Sequence, residues 1–502
     1  MLTQALSKIL TDVGWITTIF VGLLTYLLVR HFLKIRKYPP GPFPLPVLGN
    51  LLEFNGKQPP FIKMRDWQKK YGPVFTMWVG RPAIVVNNWE VTRDALIVKR
   101  NEVIGRNKTV LAEVIKQGYE DIVFADYSQE WEVLRKMAHS AVRKYAVSEK
   151  LAKLVTDVVD NTVHKMLQEK EPFDPTSHLY VILYNIIASS AFGKRYKEED
   201  EEYQDLKEQS ELFLNEFGNG LPSDFIPLLR IFYVNREQKL VKSVKKFLAI
   251  LTTKIDEHKK TYQPDIIRDF TDALLLARQE AKEEGKNSLQ YLSDGNLAQV
   301  ISDLFAAGTD TTQMTLRWMV LLLANSPEVQ QKMYEEIENV IGNRPPVQDD
   351  KPQCPYISAV IMETLRFGTV VPLGIDHKTT CDTEIGGHKI PKDTMVLFNL
   401  WAHHRDKTYW KDPDVFNPDR FLTENKTLTN ERTSSYVPFG QGRRMCLGEK
   451  LALADTFLII VRLLQQCKFS LPGGAGSACL DPQPLGLVSV PVPYKIEVTS
   501  RK

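Results

Sequence analysis

The sequence predicts a mainly α-helical fold with small β-sheets, preceded by one N-terminal transmembrane helix. Three observations predict it. The run Val13–Val29, VGWITTIFVGLLTYLLV, is apolar and uncharged. From Glu90 to about Ile341 the pattern is mainly helical. Short β signals stand before and after that stretch and nowhere dominate.

The first run is an anchor. At 1.5 Å per residue it covers roughly 25 Å, slightly short of the ~30 Å hydrocarbon core. Snorkelling by Arg30 and extension through Phe32 and Leu33 supply the rest. Trp15 and Tyr26 suit the two interfaces. Lys8 and Asp12 precede the run, whereas Arg30, Lys34, Arg36 and Lys37 follow it, so the positive-inside rule puts the rest of the chain in the cytosol. A cleaved signal peptide would carry its charges first and a small-residue site after a shorter core, and a mitochondrial presequence would be Arg-rich and amphipathic. The pattern fits neither. A second apolar stretch, Phe225–Val234, is interrupted by Pro227 and Arg230 and reads either as a membrane-dipping surface or as a buried helix.

Tyr38–Asn50, YPPGPFPLPVLGN, predicts a stiff, extended spacer because proline fixes φ and resists helix. Val74–Gly80 and Ala83–Asn88, separated by Arg81-Pro82, predict a hairpin. Ser326-Pro327-Glu328 predicts a helix start with Ser326 as N-cap, Met333, Ile337, Val340 and Ile341 on one face, and Gly342 as its end. Further strands are expected near Thr383–Ile390 and Met395–Phe398, and Leu487–Val498 reads as a terminal hairpin. Lys194–Lys207 reads as a charged surface stretch.

Composition narrows the function classes. The chain has 502 residues, which suits one large domain or two lobes around a shared core. The net charge of +3, with no accompanying motif, argues against nucleic acid as a partner. Five cysteines without a CxxC pair argue against a disulfide scaffold, a zinc ribbon and a covalent c-type haem site. No Walker or dinucleotide fingerprint occurs; Gly440-x-Gly442 lacks the third glycine.

The chemistry concentrates at Phe439–Gly448, FGQGRRMCLG. A haem iron needs one strong axial donor, and a thiolate pushes electron density toward O–O cleavage. Such a thiolate survives where backbone N–H groups and a helix N-terminus stabilise its charge. Gly442 and Gly448 flank Cys446 and allow a tight loop close to the ring. Arg444 is placed to pair with a haem propionate, and Phe439 to pack beneath the loop. One cysteine alone is more often a buried, inert residue. This segment, however, resembles the cytochrome P450 signature Phe-x-x-Gly-x-Arg-x-Cys-x-Gly at every specified position.

The resemblance runs from the proline-rich segment to the C-terminus. It implies the cytochrome P450 fold, with residues 1–37 as anchor and basic flank, 38–50 as hinge and 51–502 as catalytic domain. Glu363-x-x-Arg366 with Asn417-Pro-Asp-Arg420-Phe421 resembles the family's buried Glu-Arg-Arg cluster, a folding element. Ala307-Gly-Thr-Asp310-Thr311-Thr312 resembles its oxygen-activation segment, which makes Asp310 and Thr311 the catalytic proton-relay pair. Trp131 and Arg135 resemble its haem-contacting helix, and Arg106 and His377 its propionate contacts. Asp376 stands where relatives often have proline, which makes the placement of His377 less secure. Cys446 is then the axial ligand to the haem iron.

The family likeness further implies haem b, O2 as co-substrate and NADPH as indirect electron source through NADPH–cytochrome P450 reductase, with cytochrome b5 as a second partner and the endoplasmic reticulum membrane as location. Arg135, Lys136, Arg143, Lys144, Arg443 and Lys450 are candidates for a basic docking face. The loop after Arg106, Leu304–Ala307, Val370–Ile375 and Leu485–Val488 are candidates for an apolar pocket suited to a steroid, fatty acid or xenobiotic. The expected activity is insertion of one oxygen atom into such a molecule. The alternatives are a haem-thiolate isomerase or dehydratase, and a haem-binding sensor or carrier without turnover.

Overall fold

The computed structural model describes residues 2–54, 56, 58–145, 149–208, 222–226, 229–429 and 434–501. The first helix, α1 (Leu2–Ile35), is longer than the uncharged run. Among its described side chains, Thr17–Ile35 is long and apolar enough to cross a membrane, and this stretch includes Arg30 and Lys34. Ile19, Phe20, Leu23 and Phe32 on it are exposed.

The proline-rich segment is not the extended spacer that its composition predicts. It turns back on itself through a Leu45–Gly49 bridge and docks against a strand. The reason is Asn50: its carboxamide donates to the Pro42 and Phe43 carbonyls and accepts from the Trp78 amide, so backbone hydrogen bonding overrides proline stiffness.

After α2 (Pro60–Tyr71) come β1 (Val74–Val79) and β2 (Arg81–Val86), the expected hairpin. Its break is Gly80, with φ +70°, whereas Pro82 lies inside β2 opposite Trp78. The helical body follows: α3 (Val110–Lys116), α4 (Gln129–Tyr145), α5 (Glu149–Met166), α6 (Thr176–Phe192), α7 (Arg230–Thr261), α8 (Phe270–Glu283), α9 (Asp294–Asn325), α10 (Pro327–Val340) and α11 (Pro355–Gly368). Helix α9 is capped by the Ser293 side chain, which accepts from the Asn296 amide, and it runs unbroken through Gly308. It is buried along most of its length and packs against α6, α7, α11 and the C-terminal strands. Helix α10 starts at Pro327 as expected, but Ser326 makes no side-chain cap bond.

Strands β3 (His377–Lys378), β4 (Thr383–Ile385), β5 (His388–Ile390) and β6 (Met395–Phe398) come next. One sheet has the order β1-β2-β6-β3, with β6 parallel to β2 in the register Val86↔Phe398. The cysteine loop then leads into α12 (Glu449–Gln466). The tail does not form the expected terminal hairpin. Strand β9 (Val488–Pro491) pairs with β8 (Pro482–Leu485), and β10 (Glu497–Ser500) returns to β7 (Cys467–Ser470). Alternation identified strands there, but partner choice is a long-range matter. Within the charged stretch Lys194–Lys207, Tyr196, Tyr203 and Leu206 are buried in the main core. Of Phe225–Val234, Ile231 and Phe232 are 72% and 79% exposed, which excludes the buried-helix reading there; Pro227 and Leu228 lie outside the described residues.

Candidate active site

Helices α9 and α12, the cysteine loop and the 370–377 segment enclose one cavity of about 290 Å³. The loop's shape is set by hydrogen bonds. The Cys446 amide donates to the Phe439 carbonyl at 2.9 Å and the Met445 amide to the Gly442 carbonyl at 3.2 Å. Gly442 has φ +76°, and a Cβ on it would stand 2.2 Å from the Leu96 carbonyl oxygen. Its lack of a side chain therefore lets the loop pack against the Leu96 backbone. Gly448 is the glycine beside the sulfur: a Cβ there would lie 3.8 Å from Sγ.

Cys446 is exposed only in the sense that it lines this cavity; protein surrounds it otherwise. Burial is the largest influence on its thiol and pushes the pKa up, against the opposing N–H groups of Gly448 and Glu449 and the charge of Arg135. Those two amides open α12, so the helix N-terminus points at sulfur as expected. A coordinating metal deprotonates such a thiol outright.

Around the rim stand Arg106, Arg135, Arg444 and His377. Arg106 donates to the Val123 carbonyl at 3.0 Å and the Asp376 carbonyl at 2.8 Å. Arg135 donates to the Met445 carbonyl. Arg444 donates to the Ile104 carbonyl at 3.0 Å and the Ala125 carbonyl at 2.9 Å, while its Nη1 is buried without a partner. Burial, then repulsion from Arg106 and Arg135, lowers the Arg444 pKa to about 8. Burial also lowers Arg106 to about 10. Burial and the Arg106 charge hold His377 well below its ordinary value, so the ring is neutral, with Nδ1 against the Val103 carbonyl at 2.7 Å. Three guanidiniums with an orphaned N–H, beside an apolar slot that ends on a thiol, fit a flat dianion such as haem with its propionates.

Not every candidate faces the slot. Trp131 is buried behind it: its indole N–H donates to the Ile122 carbonyl at 3.1 Å, and the Arg444 guanidinium lies 3.9 Å over its ring. It orients the arginine. Thr311 lines the cavity, and its hydroxyl donates to the Ala307 carbonyl at 2.7 Å. Asp310 is buried and does not line it. Phe439 does line it.

Of the pocket segments, Leu304, Ala307 and most of 370–375 face the cavity, as do Ile122 and Val123 from the loop after Arg106. Leu485–Val488 do not line it. Two lining acids escaped the sequence reading, Asp303 on α9 and Asp455 on α12. A usable signal existed, since each is a lone carboxylate in an apolar helical run, ISDLF and LALADTF. Asp303 accepts from the Ile122 amide at 2.7 Å, and burial raises it well above the carboxylate range. Burial likewise raises its neighbour Asp121 to about 6.

Comparison with known proteins agrees with this geometry. The family model described as Cytochrome P450 matches residues 39–498. Cytochrome P450 1A1 of Limanda limanda is 34% identical over 470 residues, covering 90% of this chain and 89% of the relative. The Oryzias latipes cytochrome P450 1A1 is 34% identical, covering 91% and 90%. A solved zebra fish cytochrome P450 structure with progesterone superposes with a TM-score of 0.78 at 31% identity, covering 88% of this chain and 100% of that one.

Proposed function

The chain belongs to the cytochrome P450 family and is a monooxygenase of that family, and from this premise we propose its substrate class, partners and residue roles. It inserts one oxygen atom from O2 into an apolar small molecule (a steroid, fatty acid or xenobiotic) at the endoplasmic reticulum membrane. The observation that carries this is that Cys446, Thr311 on α9 and the apolar Leu304, Val370, Val371 and Ile375 all line one cavity.

Bound haem supplies the oxygen-activating chemistry. The protein supplies the rest. Cys446 would supply the thiolate to the haem iron, in a loop held by the Phe439 carbonyl and by the amides that open α12. Arg106, Arg135 and Arg444 would hold the propionates, and His377 would join them once the nearby anions raise its pKa enough for the ring to take up a proton. Thr311 presents a hydroxyl whose proton is engaged with Ala307, leaving its lone pairs to accept a proton donor. The apolar wall excludes water from the substrate and orients it by shape.

Electrons come from NADPH through NADPH–cytochrome P450 reductase, with cytochrome b5 as an accessory donor. The docking face is smaller than the sequence implied. Lys136, Arg143 and Lys450 are exposed, whereas Arg135 faces the cavity and Arg443 pairs with Glu132 and Asn101; the Lys144 side chain lies outside the described residues. Helix α1, with Lys34 in its last turn and Arg36 and Lys37 after it, anchors the chain once with the catalytic domain in the cytosol.

Expression in microsomes with the reductase tests the proposal. The reduced protein should give the carbon-monoxide difference band of thiolate ligation, and NADPH consumption should yield hydroxylated product from at least one member of a lipid, steroid and drug panel. Loss of the band would refute thiolate ligation. A normal band without NADPH-dependent product from any compound would favour the sensor or carrier reading, and rearranged peroxide without NADPH the isomerase or dehydratase.

A further inference from the structure

Two segments meet in the cavity wall beside Arg106. Gly105 and Lys378 exchange backbone hydrogen bonds at 3.1 and 2.8 Å, and the Asn107 carboxamide extends the pairing by donating to the His377 carbonyl at 3.2 Å. Asp376 sits in this join, at the position where the family resemblance leads one to expect proline. Its backbone does what a proline's would. The Asp376 amide donates to nothing among the described residues, and its carbonyl accepts from Arg106 Nη1 at 2.8 Å. What the aspartate adds is a carboxylate. That carboxylate accepts from Asn107 Nδ2, and Asn107 Oδ1 accepts in turn from Arg81 at 3.3 Å.

The carboxylate makes no direct ion pair with Arg106 among the described residues. After burial, it is still the strongest influence on that guanidinium, ahead of Arg135, Asp121 and Asp126. Arg106 is 5% exposed, so water screens its charge poorly. Its position is set by main-chain carbonyls, Val123 at 3.0 Å and Asp376 at 2.8 Å. The Asp376 side chain therefore acts on Arg106 by charge, not by holding it in place. We propose that Asp376 is a positioning residue for charge: acting through Arg106, it offsets part of the positive charge that would answer a haem propionate, and it lowers the reduction potential of the haem site. Reduction brings one electron, supplied by the reductase of the proposed function, and so one unit of negative charge. Arg106 favours that change, and a carboxylate near Arg106 opposes it. Charge and hydrogen bonding around a haem are among the levers that set its potential. The inference rests on the haem-thiolate reading of the cavity.

Spectroelectrochemistry of the purified, haem-bound full chain reads the potential without turnover. Asp376→Asn and Asp376→Pro both remove the charge and keep the carbonyl that accepts from Arg106. Both should raise the potential, and Asp376→Glu should keep the wild-type value. Transfer of haem to an acceptor protein should slow about threefold in the Asn and Pro variants, a small factor because the carboxylate is only half-buried. In the haem-free chain, Asp376→Asn should unfold at lower urea, and that fall should vanish in an Arg106→Met background. An unchanged or lower potential in both charge-removing variants would overturn the proposal. Faster haem transfer would overturn it too, because the carboxylate would then be holding Arg106 in place. A wild-type chain without the carbon-monoxide band of thiolate ligation would refute the haem-thiolate reading instead. The haem-free urea midpoint would still decide the coupling, and a midpoint that ignores Asp376→Asn would show that Asp376 does not offset Arg106.

Discussion

Two clusters of buried charge in this chain are built on opposite principles. In one, Glu363 lies between two arginines. Its oxygens accept from Arg366 at 2.7 and 2.8 Å and from Arg420 at 3.1 Å, and also from the Asn417 amide at 2.8 Å. Arg366 spends its remaining donors on the His404, Pro413 and Val415 carbonyls. Glu363 and Arg366 are both 0% exposed, yet the network is closed. In the other, Arg106, Arg135 and Arg444 converge with main-chain carbonyls as their direct partners and one guanidinium nitrogen left over. The first cluster is complete within the polypeptide. The second has Asp121, Asp126 and Asp376 nearby but leaves a guanidinium nitrogen without a partner. On the function proposed above, buried charge serves folding in one place and cofactor capture in the other.

The comparison can be broken most forcefully at Glu363. Glu363→Gln leaves two guanidiniums buried without a counter-charge, and such a break costs about 3–5 kcal/mol. Urea unfolding should show that loss whether or not haem is bound. A loss confined to the haem-bound form would erase the distinction. Arg444→Met should do the reverse. Stability of the haem-free chain should hold or rise, because an unpaired charge is removed, while haem binding should lose about 1.5–3 kcal/mol, the worth of hydrogen bonds to a charged group. Transfer of haem to an acceptor protein measures this. Unfolding of the haem-free variant at much lower urea would mean that the arginine cluster is structural.

A third site sharpens the contrast with the smallest effect. His258 Nε2 lies 2.8 Å from Asp269, tying α7 to the start of α8. Burial alone would lower the imidazole pKa, but the hydrogen bond and charge of Asp269 outweigh it, and the net shift is upward. A raised folded-state pKa means the proton is bound more tightly in the folded chain. The stabilisation is therefore fully present below the unfolded value near ~6.5 and lost as pH rises through the folded value. Urea midpoints should fall across that window, and Asp269→Asn should flatten the profile. A profile that is equally steep in the variant would show that the pair contributes nothing. Asp272 makes a neighbouring closed pair with Arg268, at 2.6 and 2.8 Å. The His258–Asp269–Asp272 group is thus spent on internal bonds, although its atoms lie close enough together to hold a metal.

Much of the site was legible because local sequence carries it. The cysteine loop is a contiguous segment whose spacing reflects one turn and one helix start, and Thr311 was legible through the resemblance of Ala307–Thr312 to the family's oxygen-activation segment. The Glu363 cluster was legible as two separated motifs. The proline-rich segment was misread because its shape depends on Asn50 reaching Trp78, and the tail because β9 and β10 choose partners in different sheets. The sequence places Gly442 near Cys446 but not against the Leu96 carbonyl, because Leu96 is distant in the chain.

By itself the sequence determined the cytochrome P450 signature around Cys446, the apolar N-terminal helix and the helical character, because each depends on residue chemistry at short spacing. Tertiary structure alone decided which side chains face the slot. It turned Trp131 and Asp310 away and brought Asp303 and Asp455 in. Burial and hydrogen-bond partners, which set the protonation of an acid, come from segments far apart in the chain and exist only once those segments pack.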